Sequence, residues 1–153
     1  MSEIGDKIQA KCMAFADRVI KLNDYLLEQA SLPKSEGGSQ KAGGKKPQPS
    51  NFKHHPSRVP VYLQAVANIC NQLLRAGTSI GANNAEATNA VSRQDFRSKS
   101  YIALKEARES LYWIELLHRN AYLDGKQYES IYADCEKLVK LLVTRCKKLD
   151  EQM

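Results

Sequence analysis

The sequence predicts an all-α fold, an antiparallel up-down four-helix bundle with a long flexible loop between its first and second helices. Apolar residues recur at alternating spacings of four and three in four separate stretches, the mark of helices that bury one face. The breaks between those stretches are equally clear: Pro33 and Pro60 bracket a polar run, Ser92 precedes Asp95, and Asp124 is followed by Gly125. Two short connections and one long one between helices of similar length suit an antiparallel bundle. The 153 residues fit a single domain, 1–153, large enough to bury a core without disulfides or metals.

Helix one is expected over residues 4–31, where Ile8, Cys12, Phe15, Val19, Leu22 and Leu26 form the inward seam with Ala16 and Ile20 beside it. Pro33 ends it. Residues 32–60 then form a flexible basic insertion: glycine-rich in its first half, proline-rich in its second, and almost without apolar side chains.

Helix two should start at Val61 and run to about Val91, with Val66, Cys70, Leu73, Gly77, Ile80, Asn84, Ala87 and Val91 on one buried seam. Glycine costs about 1 kcal/mol in a helix interior relative to alanine. Gly77 and Gly81 therefore imply close packing, with backbones approaching where side chains are missing. Ser92 and Asp95 fit a capping box opening helix three, which is expected over residues 93–122 with Phe96, Ala103, Leu104, Ala107, Leu111, Ile114, Leu117 and Ala121 inward. Helix four follows over residues 126–149, burying Tyr128, Ile131, Cys135, Leu138, Leu142 and Leu149.

The run LLRAGTSIGANNAEA, then Ser92, Asp95 and Phe96, then ALKEARESLYWIELL over residues 103–117, resembles the four-helix bundle proteins associated with intervening sequences in bacterial 23S ribosomal RNA genes. The likeness covers roughly residues 4–31 and 61–150 and departs from the family pattern at the long polar insertion. It implies a homopentameric ring of bundles. Similar bundles serve as accessory subunits of reverse transcriptases in diversity-generating retroelements, so a reverse transcriptase is an implied partner.

On helix three, Ile102, Trp113 and Leu116 lie away from the inward stripe, among Glu106 and Glu109. A second apolar patch holding the only tryptophan reads as an oligomer interface. The competing reading is a central helix that touches neighbours of its own bundle on both sides.

The formal charge of +6 is unevenly distributed: residues 32–60 hold six basic residues and one acid, while the helices are close to neutral. Any basic surface on the bundle must come from arrangement. Arg75, Arg93, Arg97, Lys105, Arg108, Lys140 and Arg145 are the candidate nucleic-acid-binding residues, with RNA favoured over DNA, and contact should be to the backbone because no base-reading module is visible. Solvated helix exteriors are the bland alternative.

Catalysis has little support. Glu115-Leu116-Leu117-His118 is half of a di-iron motif but occurs once, His54 and His55 lie in the insertion, and no nucleophile has a partner histidine. The four cysteines form no C-x-x-C pair, so neither a metal nor a cofactor is expected, and buried reduced thiols are favoured over disulfides. Asn83, Asn84, Glu86, Glu106 and Glu109 would form a polar network with Lys105, Arg108 and Arg75 that fixes helix register or joins protomers. No secretory leader or membrane span is recognisable, and a cytoplasmic location is expected.

The expected protein is thus a non-enzymatic homo-oligomeric bundle that binds RNA. Its alternative is a structural or adaptor oligomer without nucleic acid, and an enzyme with a site between protomers stands third.

Overall fold

A computed structural model describes residues 3–31 and 61–152. Four helices account for nearly all of them: α1 (Glu3–Ser31), α2 (Val61–Thr88), α3 (Arg93–Arg119) and α4 (Gly125–Asp150). Residues 32–60, with His54 and His55, lie outside the described residues.

Each helix packs on its neighbours in chain order, and α1 with α4 closes the square through the smallest of the four interfaces. Partners run in opposite directions along successive helices, which fixes the antiparallel sense: Gly77 and Gly81 face Val19 and Cys12, Arg75 and Glu86 meet Glu109 and Lys99, and Arg97 and Ala107 meet Asp150 and Cys135. Gln9 also meets Asn84, and Arg18 meets Asp134.

The core is one cluster. Ile8, Cys12, Phe15, Val19 and Leu26 from α1 meet Val66, Cys70, Leu73 and Ile80 from α2, Ala103, Ala107, Ile114 and Leu117 from α3, and Ile131, Cys135, Leu138, Leu142 and Cys146 from α4. On α3 the small residues Ser100, Ala103, Ala107 and Ser110 are all buried, and on α2 so are Ala76, Gly77 and Gly81. Small side chains on facing helices let backbones approach, so α2 is held tightly from both sides. A Cβ added at Gly77 would sit 3.1 Å from Val19 Cγ2 and 3.3 Å from Val19 Cγ1, the close approach that the sequence predicted.

Three expected core positions are overturned. Val91 is 94 % exposed, because α2 stops at Thr88 and its last turn tightens through Asn89 N–H to Glu86 O and Ala90 N–H to Ala87 O. Ser92 then needs extended backbone to cap α3, which leaves Val91 stretched across the turn. Ile20 is 43 % exposed, so the α1 seam is narrower than its apolar spacing suggests.

Ala121 is exposed rather than inward, since α3 ends at Arg119 and not Tyr122. Ala121 N–H donates to His118 O, Tyr122 N–H donates to Leu117 O, and Ala121 takes φ 59°. Those two bonds are a Schellman closure with alanine in the left-handed position usually given to glycine.

The caps match expectation more closely. Ser92 Oγ accepts from Asp95 N–H at 3.1 Å, but the Asp95 carboxylate reaches back to Val91 N–H rather than to Ser92. Asp124 and Gln127 form a full reciprocal capping box at the start of α4.

Candidate nucleic-acid interface

The seven candidate cations do not form one patch. Arg93, Arg97, Lys105 and Arg108 all lie along α3 on sides not used by the core, while Arg75 sits on α2 and donates to Glu109 Oε1 at 2.7 Å. Lys140, on the outside of α4, pairs with Glu136 one turn earlier at 2.9 Å. Arg93 spends its guanidinium on the Gln152 backbone and side-chain oxygens.

Arg145 turns inward. Its Nη1 donates to Asn84 Oδ1 at 2.6 Å, and its guanidinium carbon lies 5.7 Å from the Phe96 ring centroid. Burial pushes this guanidinium below its ordinary pKa. Asn84 is fully buried and donates in turn to Gln9 Oε1 at 2.5 Å, so the side chains of Gln9, Asn84 and Arg145 tie α1, α2 and α4 together at one end of the bundle. Arg145, one of the candidate cations, is thus half-buried, with its guanidinium hydrogen-bonded at this end of the bundle.

Apart from Asn84, the members of the predicted polar network make separate smaller contacts. Asn83 Nδ2 donates to Ser79 O, Glu86 pairs with Lys99, and Glu109 Oε1 also accepts from Trp113 Nε1 at 3.2 Å. Glu106 is buried at 8 % exposure with Oε2 unpartnered, so Lys105 and Arg108 do not serve the acids as expected. Trp113 and Leu116 are half-buried, with Trp113 packed against the core edge, whereas Ile102 is 37 % exposed.

What the structure does assemble is an open groove along the outside of α3, lined by Gln94, Arg97, Ser98, Tyr101, Ile102 and Lys105. The Arg97 guanidinium stacks 4.8 Å from the Tyr101 ring centroid. Asp150 anchors this pair from α4, accepting from Arg97 Nε at 2.8 Å and from Tyr101 Oη at 2.5 Å. Those two hydrogen bonds hold the Asp150 carboxyl below its usual range. Lys105 lines the far end of the groove, and among the described residues neither it nor Arg108 has an ion-pair partner.

Tyr101 was not singled out from sequence. Its signal was the spacing Gln94, Arg97, Tyr101 and Lys105, which puts an aromatic among cations on one helix face. His118, by contrast, is structural: Nδ1 lies 3.0 Å from Leu123 O, and the ring stacks on Tyr128 at 4.2 Å. Glu115 pairs with Arg119, so the E-x-x-H spacing is used by two unrelated local contacts. Among the described residues no three potential metal ligands gather, and no helix is long and apolar enough to cross a membrane.

This bundle aligns with a crystal structure of a protein of unknown function from the S23 ribosomal protein family of Bacteroides thetaiotaomicron VPI-5482. The TM-score is 0.68 at 33 % identity, over 94 % of this chain and 98 % of that one. Residues 62–144 match the family described as 23S rRNA-intervening sequence protein. The chain belongs to that family. The match falls on α2, α3 and most of α4, the helices that carry the small-residue seam and the α3 groove. No curated protein matches the chain.

Proposed function

We propose that this member of the 23S rRNA-intervening sequence protein family is a non-enzymatic, cytoplasmic, homopentameric bundle that binds RNA and serves as an accessory subunit to a reverse transcriptase. The observation that carries the RNA reading is the α3 groove, where Tyr101 lies beside Arg97 and Lys105 with Arg108 close by along the helix. Cations that track a phosphate backbone, with an aromatic face available to a base, are the usual elements of sequence-tolerant single-strand binding. Repetition around a ring would multiply a modest local field. Residues 32–60 add their own basic charge.

Fluorescence anisotropy with a labelled single-stranded RNA at low salt tests the reading. The wild type should bind, and Lys105→Gln/Arg108→Gln should weaken binding about equally for unrelated sequences. Its salt slope should fall by about 1.4 on a logarithmic scale, at about 0.7 per lost phosphate contact. No binding by the wild type would remove RNA from the proposal. Assembly is tested by light scattering on the full chain, which should give the mass of five copies; the mass of a single copy removes the ring from the proposal.

The adaptor reading is favoured by a different observation, that Arg75, Arg97 and Lys140 are each taken up by an acid of the same chain. It is distinguished by an intact oligomer with no affinity for RNA.

A further inference from the structure

The α1–α4 face contains a second basic surface that the α3 groove does not reach. Along α1, Lys7, Lys11, Arg18 and Lys21 recur at helical spacing on the side turned to α4, as Arg18 shows by reaching Ser130 and Asp134. Along α4, Ser130, Asp134, Lys137 and Lys148 share the facing stripe. From residue 7 to 21 the sole acid of α1 is Asp17, off this stripe, and on α4 Glu136 pairs with Lys140 on another side.

Between the helices is a groove lined by Lys11, Ala14, Phe15, Asp134 and Lys137. It exists because α1 and α4 share the least contact in the bundle and because Ala14 has too small a side chain to fill the gap. Its one acid is already committed: burial raises the Asp134 carboxyl, but hydrogen bonds from Lys137 and Arg18 outweigh it and hold the group below the ordinary range. Lys11 and Lys21 are exposed and have no ion-pair partner among the described residues.

We propose that the α1–α4 groove is a track for a single phosphodiester strand, held by Lys11, Lys21, Lys137 and Lys148 with Arg18 at its middle. The inference rests on the RNA reading above and adds a second surface to it. The cations run for about 21 Å along α1, at 1.5 Å per residue from residue 7 to 21. That is room for several consecutive phosphates. A groove between two neighbouring helices of one bundle is too narrow to seat a duplex. Lysine suits this task as a mobile point charge that follows a backbone without fixing its geometry. Three of its five lining residues are charged, which suits a phosphate backbone better than an apolar peptide anchor.

The test uses the full chain, a labelled oligouridylate and a polyglutamate of equal charge. Lys11→Gln/Lys137→Gln should weaken oligouridylate binding about tenfold and reduce the salt slope by about 1.4. Arg119→Gln/Lys126→Gln, which removes the same charge from exposed sites outside both grooves, should weaken it much less. Equal loss in both doubles, or tighter binding of polyglutamate than of oligouridylate, overturns the proposal. So does a change in oligomer mass for the Lys11/Lys137 double, since the groove would then be an interface. Failure of the wild type to bind any RNA would instead defeat the broader reading, and a wild type that binds while the Lys11/Lys137 double binds equally well defeats only this one.

Discussion

Arg145 on α4 donates to the Oδ1 of Asn84 on α2 at 2.6 Å, and Asn84, with none of its surface exposed, passes the connection to Gln9 on α1. A charge and an amide are thus stationed at one end of the bundle core, and each is tolerable because the other is there. Removing one partner of a buried pair leaves the other desolvated and unsatisfied. Asn84→Ala should cost about 2–3 kcal/mol in urea unfolding. Asn84→Leu combined with Arg145→Met should cost less than the sum of the two single changes, because both polar groups leave together. Strict additivity would show that the contact carries no coupling.

The two helical glycines of α2 should answer substitution differently. At Gly81 an added Cβ meets Cys12 Cβ at 3.4 Å, an ordinary contact, so Gly81→Ala should gain up to about 1 kcal/mol from helix propensity. At Gly77 the same atom presses on both γ-methyls of Val19, a fully buried β-branched side chain with little rotamer freedom. Gly77→Ala should lose that gain and destabilise the bundle by about 1 kcal/mol. Thermal melts of the two variants should move in opposite directions.

Helix positions and core were legible because periodicity reports burial directly: from Val66 to Ala87 every member of the predicted α2 seam is buried. Ends and partners were less legible. Val91 continues the spacing perfectly yet lies outside the helix, since the cap at Ser92 overrides the pattern. Arg145 looks like one more surface cation in a lysine-rich stretch, and only the position of Asn84 across the bundle draws it inward. The α1 lysines were passed over because a helix of net charge near zero hides a basic stripe when its acids fall on other faces.

Ala121 holds φ 59° in the Schellman turn that ends α3. A left-handed conformation costs a non-glycine residue roughly 1–2 kcal/mol. The side chain is exposed, so its loss removes little packing. Ala121→Gly should therefore stabilise the protein by about 0.5–1 kcal/mol, with the higher chain entropy of glycine in the unfolded state offsetting the remainder. A lower denaturation midpoint would mean that the alanine methyl makes a contribution the exposure does not suggest.

The four cysteines are buried and free, and desolvation raises their thiols: Cys12 and Cys70 to about 11, Cys135 to about 12 and Cys146 in the same direction. Near neutral pH the thiols are protonated in both folded and unfolded chains, so they contribute no pH dependence there. Above the unfolded value of 9.0 the unfolded chain ionises while the folded one stays protonated, which favours unfolding. Stability should fall as pH rises from about 9 towards 11–12, with a limiting slope of about 1.4 kcal/mol per pH unit for each thiol. Replacing Cys70 by alanine should flatten the slope in that window, at some cost in packing at all pH values, while leaving its sign unchanged. Urea midpoints between pH 7 and 10.5 measure this, and a profile that rises with pH would contradict it. The same burial predicts slow labelling by a thiol reagent in the folded state and rapid labelling of all four cysteines once urea opens the bundle.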